Sequence, residues 1–127
     1  METPRLYTRS KIWLEDENGN VVFGLGRYRM LEAINRLGSL NAAAKELNMG
    51  YRALWARIHA TEDRLGQELL YKRKGGSAGG GSQLTPLALS LLERFEMARR
   101  RIEQETDAVF EKSLGSQLEL NKQRPQS

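Results

Sequence analysis

The run Ser39-Leu40-Asn41-Ala42-Ala43-Ala44-Lys45-Glu46-Leu47-Asn48-Met49-Gly50-Tyr51-Arg52-Ala53-Leu54-Trp55-Ala56-Arg57-Ile58-His59-Ala60-Thr61-Glu62-Asp63-Arg64-Leu65-Gly66 decides the fold. Residues 39–47 read as a short helix: Ser39 or Asn41 can cap it, and three successive alanines combine high helix propensity with little bulk. Small side chains let another helix approach closely. Asn48-Met49-Gly50 is a three-residue break, and a second helix runs from Tyr51 to Leu65, stopping at Gly66. At about 100° per residue, Leu54, Ile58, Thr61 and Leu65 share one face. Arg52, Ala56, His59 and Asp63 fall opposite, with Trp55 at the flank. Two helices joined by a tight turn, the second with an outward polar and aromatic face, are thus expected.

Working outward, residues 9–24 read as a β-hairpin. Lys11–Glu15 and Val21–Phe23 are strand-like, and Asn18-Gly19 between them tolerates the positive φ of a tight turn. Trp13 and Phe23 are expected to pack on neighbouring helices, since a lone hairpin is marginal. A helix follows over Tyr28–Leu37, ended by Gly38. On the other side, residues 69–74 look like a strand, 75–82 like a glycine-rich loop, and Gln83-Leu84 like the returning strand. Thr85 caps a long helix with Pro86 in its first position, where the missing N–H costs nothing. Ala88, Leu91, Phe95, Ala98 and Ile102 alternate spacings of 3 and 4, the seam of a coiled coil, and Val109 resumes it. The fold class is mainly α with small β-hairpins: a winged helix-turn-helix plus a long C-terminal dimerisation helix. Residues 1–114 form this domain (hairpin 9–24, helix-turn-helix 39–66, wing 69–84, dimer helix 86–114). Disorder is expected over 115–127.

The chain has 127 residues, one domain's worth. With no cysteine and one histidine, thiol catalysis, disulfides, zinc knuckles and a Ser–His–Asp triad are excluded or improbable. No apolar run nears the ~20 residues of a membrane helix, and the N-terminus lacks a signal-peptide core. A cytoplasmic protein is the expectation, with no membrane partner. The net charge of +4 is concentrated: residues 50–74 alone carry +3.

That excess, on the outward helix and the adjoining basic strand, points to a polyanion. The major groove of B-DNA admits one helix, read near its N-terminus. The DNA-binding candidates are Ser39, Asn41, Tyr51, Arg52, Trp55, Ala56 and His59, with Lys72, Arg73, Lys74, Gly80 and Ser82 of the wing. Arg52 suits a bidentate guanine contact, Tyr51 a phosphate, and Ala56 a close approach. Trp55 either joins this face or packs between helices, His59 either reads a base or is merely solvated, and Arg57 suits an ion pair or a phosphate. The wing's cations neutralise phosphate if the loop is more than a disordered connection. Its glycines do not match G-x-x-x-x-G-K-[ST], so a nucleotide site is not expected. No catalytic residue, metal ligand or cofactor is assigned, and an enzyme is not expected. A protein-interaction adaptor and a nonspecific architectural DNA binder are the alternatives.

Ser39–Leu47 resembles the second helix of LysR-like winged helix-turn-helix regulators. Met49-Gly50-Tyr51-Arg52-Ala53-Leu54-Trp55 with Ile58, and the multi-glycine wing closing on Gln83-Leu84-Thr85, resemble the ModE family of molybdenum-responsive transcriptional regulators. The similarity covers about residues 10–114. It implies a sequence-specific regulator, acting as a homodimer on a pseudo-palindromic operator of molybdenum uptake or cofactor genes. One departure is Gly50, where that family usually has a capping serine. A second is that the family commonly continues into an oxyanion-binding region, which is not recognisable before Ser127. Molybdate is therefore not expected to bind this chain. Affinity for double-stranded operator DNA should then be equal with and without molybdate, at matched ionic strength with sulfate as control.

Overall fold

A computed structural model describes residues 4–71 and 81–121. In order along the chain come β1 (Trp13–Glu15), β2 (Val21–Gly24), α1 (Leu25–Leu37), α2 (Leu40–Glu46), α3 (Tyr51–Leu65) and α4 (Pro86–Leu114). The chain divides into two units, residues 12–95 and a second made by 4–11 with 96–121.

In the first unit, β1 and β2 pair antiparallel, Leu14 opposite Phe23, with an irregularity between Leu14 and Glu15. The connection is longer than a two-residue Asn-Gly turn. Asp16 builds it: its Oδ1 accepts from the backbone N–H of Asn18 and of Asn20, both at 2.9 Å. These amides, Asn20 foremost, hold the Asp16 carboxyl below its ordinary range. Gly19 takes the positive φ of +81°, and Asn18 does not share it. Phe23 is buried as expected, but Trp13 is exposed and donates its indole N–H to Glu15 at 2.7 Å. The short edge strand leaves Trp13 no helix to lie against.

α1 begins at Leu25, three residues earlier than expected, because Gly24 in an extended conformation leads directly into it. Gly38, at φ +69°, ends it and donates its N–H to the Ile34 carbonyl. Ser39 caps α2, its Oγ accepting from Ala42 N at 3.2 Å. Asn48 then turns the chain with φ +56°. The core joins Phe23, Leu31, Ile34, Ala43, Leu54, Ile58, Leu69, Leu84 and Ala88. Ala43 and Ala44 are buried where α2 meets its neighbours, the use expected of small side chains.

α4 starts as the Thr85-Pro86 pair predicts, with Thr85 Oγ1 accepting from Ala88 N at 3.3 Å. Its apolar seam divides in two. Ala88 is fully buried, Leu91 and Phe95 pack against the core, and the Phe95 ring lies 5.1 Å from that of Phe23, edge to face. The first half of the 3/4 pattern therefore belongs to the chain's own interior. Ala98, Ile102 and Val109, further along the same face, are exposed.

In the second unit, Thr8 donates a hydroxyl hydrogen bond to Asp107, and Leu6 pairs with Leu120 as a parallel bridge. Asn121 N–H reaches the Leu6 carbonyl at 2.9 Å. The backbone of Leu120 and Asn121 thus finds partners in the N-terminal segment. Residues 122–127 lie outside the described part. Among the described residues, no helix is long and apolar enough to cross a membrane.

Candidate nucleic-acid interface

α3 is positioned from below by its apolar face. Leu54, Ile58 and Thr61 are fully buried, and Leu65 packs against the core. Thr61 is the one polar member, and it is satisfied twice: its hydroxyl donates to the Arg57 carbonyl at 3.1 Å and accepts from Arg27 Nε at 3.0 Å. Gly66, at φ +67°, closes the helix. With one face so committed, Tyr51, Arg52 and Ala56 stand exposed on the outer side. Trp55 joins them, with 47% of its surface accessible, so it is no interhelical wedge. Its ring stacks on His59, centroids 3.9 Å apart and planes tilted by 44°. His59 is half-buried rather than freely solvated, and Nδ1 lies 2.6 Å from a Glu62 carboxylate oxygen.

Arg57 is exposed, with no carboxylate paired to it among the described residues. Burial first, then repulsion from Arg57 and Arg64, lower the Arg27 guanidinium from its ordinary value. Arg64 donates to the Val21 carbonyl at 2.8 Å, tying α3 to the hairpin. Of the α2 candidates, Ser39 has its oxygen engaged in the cap and Asn41 is exposed.

The base of the wing is closed by the antiparallel Leu70–Leu84 bridge, with Tyr71 N–H to Gln83 O at 3.0 Å and Thr85 N–H to Leu69 O at 2.9 Å. Ser82 donates its N–H to the Gly38 carbonyl at 2.9 Å, anchoring the returning segment at the end of α1. Lys72, Arg73, Lys74 and Gly80 lie outside the described residues. The residue that sequence reading missed is Glu62. Its only signal there was the three-residue spacing from His59.

Gly50 caps α3 without a side-chain hydrogen bond, at φ −72° and ψ 149°, a conformation open to any residue. An added Cβ meets nothing within 4 Å. Gly50→Ser is therefore expected to raise stability by a few tenths of a kcal/mol, because the hydroxyl satisfies a free first-turn N–H. A urea titration checks this, and a lowered midpoint would contradict it.

Comparison with solved structures finds the same architecture. The DNA-binding domain of BenM, solved with benA site 1 DNA, superposes with a TM-score of 0.54 over 75% of this chain and 99% of that one, at 22% identity. The CbnR DNA-binding domain in its DNA complex gives 0.50 over 74% and 98%, at 24% identity. These establish the fold. Among curated proteins, the molybdenum-pterin-binding protein MopB of Rhodobacter capsulatus is 35% identical over 91 residues, 72% of this chain and 33% of that protein. The transcriptional regulator ModE of Haemophilus influenzae is 35% identical over 74 residues, 58% of this chain and 29% of that protein. The chain spans about a third of the length of these relatives. The model of bacterial regulatory helix-turn-helix proteins matches residues 25–89, the stretch from the start of α1 into α4. The chain belongs to the lysR family of bacterial regulatory helix-turn-helix proteins.

Proposed function

We propose that this chain is a sequence-specific DNA reader that acts as a homodimer on a pseudo-palindromic operator in the cytoplasm. The observation that carries the reading is the outer face of α3, where Arg52, Trp55 and Ala56 stand exposed on a helix whose opposite face is locked into the core. An α-helix so presented fits the major groove, and Arg52 near its N-terminus reaches a guanine edge. Tyr51 and the wing cations Lys72, Arg73 and Lys74 take phosphates, which position the domain without reading sequence. Similarity to the ModE regulators favours operators of molybdenum uptake or cofactor genes.

The dimer rests on the second half of α4. Ile102 and Val109 continue the face that Phe95 begins, and leave an apolar stripe uncovered there. The 4–11 segment bonds the same stretch of the helix on another face, through Thr8 to Asp107. Two α3 helices related by a two-fold axis would then read two half-sites.

Selection from random duplex DNA tests this, with an inverted repeat as the expected product. Arg52→Ala should cost about 1–3 kcal/mol of operator affinity and relax preference at one base pair per half-site. Unchanged affinity in a folded variant would place α3 away from the bases. Steep weakening with salt separates DNA reading from an adaptor role through α4, and operator preference over random DNA separates it from architectural binding.

A further inference from the structure

Glu62 sits at the start of the last turn of α3 and is bonded on both sides. One carboxylate oxygen lies 2.6 Å from His59 Nδ1. The other accepts the backbone N–H of Leu69 at 2.7 Å and of Leu70 at 3.2 Å. Its side chain is only 11% exposed. The turn at Gly66 makes this possible, by folding residues 69 and 70 back beside the helix end. Leu70 is itself the residue that bridges to Leu84 at the base of the wing. On the other side, His59 carries the Trp55 indole stacked on it, one helical turn toward the N-terminus. A single carboxylate thus connects the wing base to the two rings on the exposed flank of α3.

The chemistry fixes the imidazole as well as its place. An ionised carboxylate only accepts, so the ring nitrogen at 2.6 Å carries the hydrogen. In the neutral ring the opposite nitrogen, Nε2, is then an acceptor. Hydrogen-bond donors in the major groove are the amino groups of cytosine and adenine, whereas guanine offers N7 and O6 acceptors. We propose that Glu62 is a positioning residue for sequence readout: it holds His59 in the Nδ1–H form under Trp55 and ties both rings to the base of the wing. The inference rests on the DNA-reading role of α3. Under it, the neutral His59 ring discriminates for an amino-bearing base edge, and the base of the wing stays joined to the recognition helix when DNA is bound.

Glu62→Gln separates positioning from plain structural support. The glutamine oxygen still accepts from Leu69 and Leu70, while its NH2 faces His59 and draws the ring into the Nε2–H form. The chain has one histidine, so its ring 15N resonances are unambiguous. At pH 8 the wild type is expected to show the Nδ1–H tautomer and Glu62→Gln the Nε2–H tautomer, with similar urea midpoints. Selection from random duplexes should then return a different base at one position per half-site. Affinity for the wild-type operator should fall about ten-fold, the effect of one lost base contact, with affinity for random DNA unchanged. A wild-type Nε2–H tautomer would overturn the proposal, as would a switched tautomer with the same selected sequence. Should Glu62→Gln fail to fold, His59→Phe keeps the stacked ring and removes both nitrogens. Loss of preference at one base pair is then the expected result, and unaltered preference overturns the idea. A wild type that enriches no sequence would refute the DNA-reading role itself, whereas the tautomer measurement needs no DNA and judges the Glu62–His59 link separately.

Discussion

Phe95→Ala is expected to destabilise the 12–95 unit by about 3 kcal/mol, the lower end for a phenylalanine truncated in a core, because the ring is not wholly enclosed. The ring meets Phe23 edge to face at 5.1 Å and Tyr28 at 5.6 Å, so truncation removes two aromatic contacts together with the buried area. Domains of this size are stable by only about 5–15 kcal/mol, so such a loss shows plainly in a thermal or urea melt. Ile102→Ala, at a position with 37% of its surface accessible, should move the same midpoint far less. The pair of variants decides what the 3/4 pattern of α4 is for. A Phe95→Ala protein that melts like the wild type but no longer dimerises would return Phe95 to the subunit interface and contradict its place in the core.

Ile102→Glu combined with Val109→Glu is expected to convert a dimer into monomers in sedimentation velocity at micromolar concentration. Two carboxylates on the stripe cannot be desolvated against their symmetry mates without a large penalty. Both residues are exposed in the single chain, Val109 at 60%, so the variant should still fold, with the wild-type helix content by circular dichroism. Operator affinity should nevertheless drop by about a hundredfold or more, because the second half-site is no longer bound at the effective concentration of a linked module. Binding to an isolated half-site should hardly change. A wild type that sediments as a monomer, or a double variant that stays dimeric, would remove α4 as the interface.

Local signals proved sufficient where the physics is local. Gly38 and Gly66 end their helices in the left-handed conformation that glycine tolerates, and both ends were readable from the residue alone. Ser39 and Thr85 cap as their side chains suggest. The periodicity of α3 separated Leu54, Ile58 and Thr61 from Arg52 and Ala56, because burial of one face leaves the other outside. The exposed half of the candidate interface was legible for that reason.

What failed to read was non-local, except at the β1–β2 turn, where one short-range signal overrode another. Asp16 shapes the β1–β2 connection through hydrogen bonds that outcompete the Asn18-Gly19 signal, and Trp13 stays outside because the edge strand has nothing packed over it. Leu120 and Asn121 bond to Leu6, more than a hundred residues away in sequence, a pairing that no local signal announces. The sequence by itself determined the helix-turn-helix, its boundaries and its outward face, since caps, breakers and a 3.6-residue period act within one turn of the chain. Only the tertiary structure decided that Ala88, Leu91 and Phe95 belong to the core while Ile102 and Val109 do not, and that Glu62 joins His59 to the base of the wing. A seam and a core share one spacing along a helix, and a carboxylate's partners are chosen by where the chain returns in space.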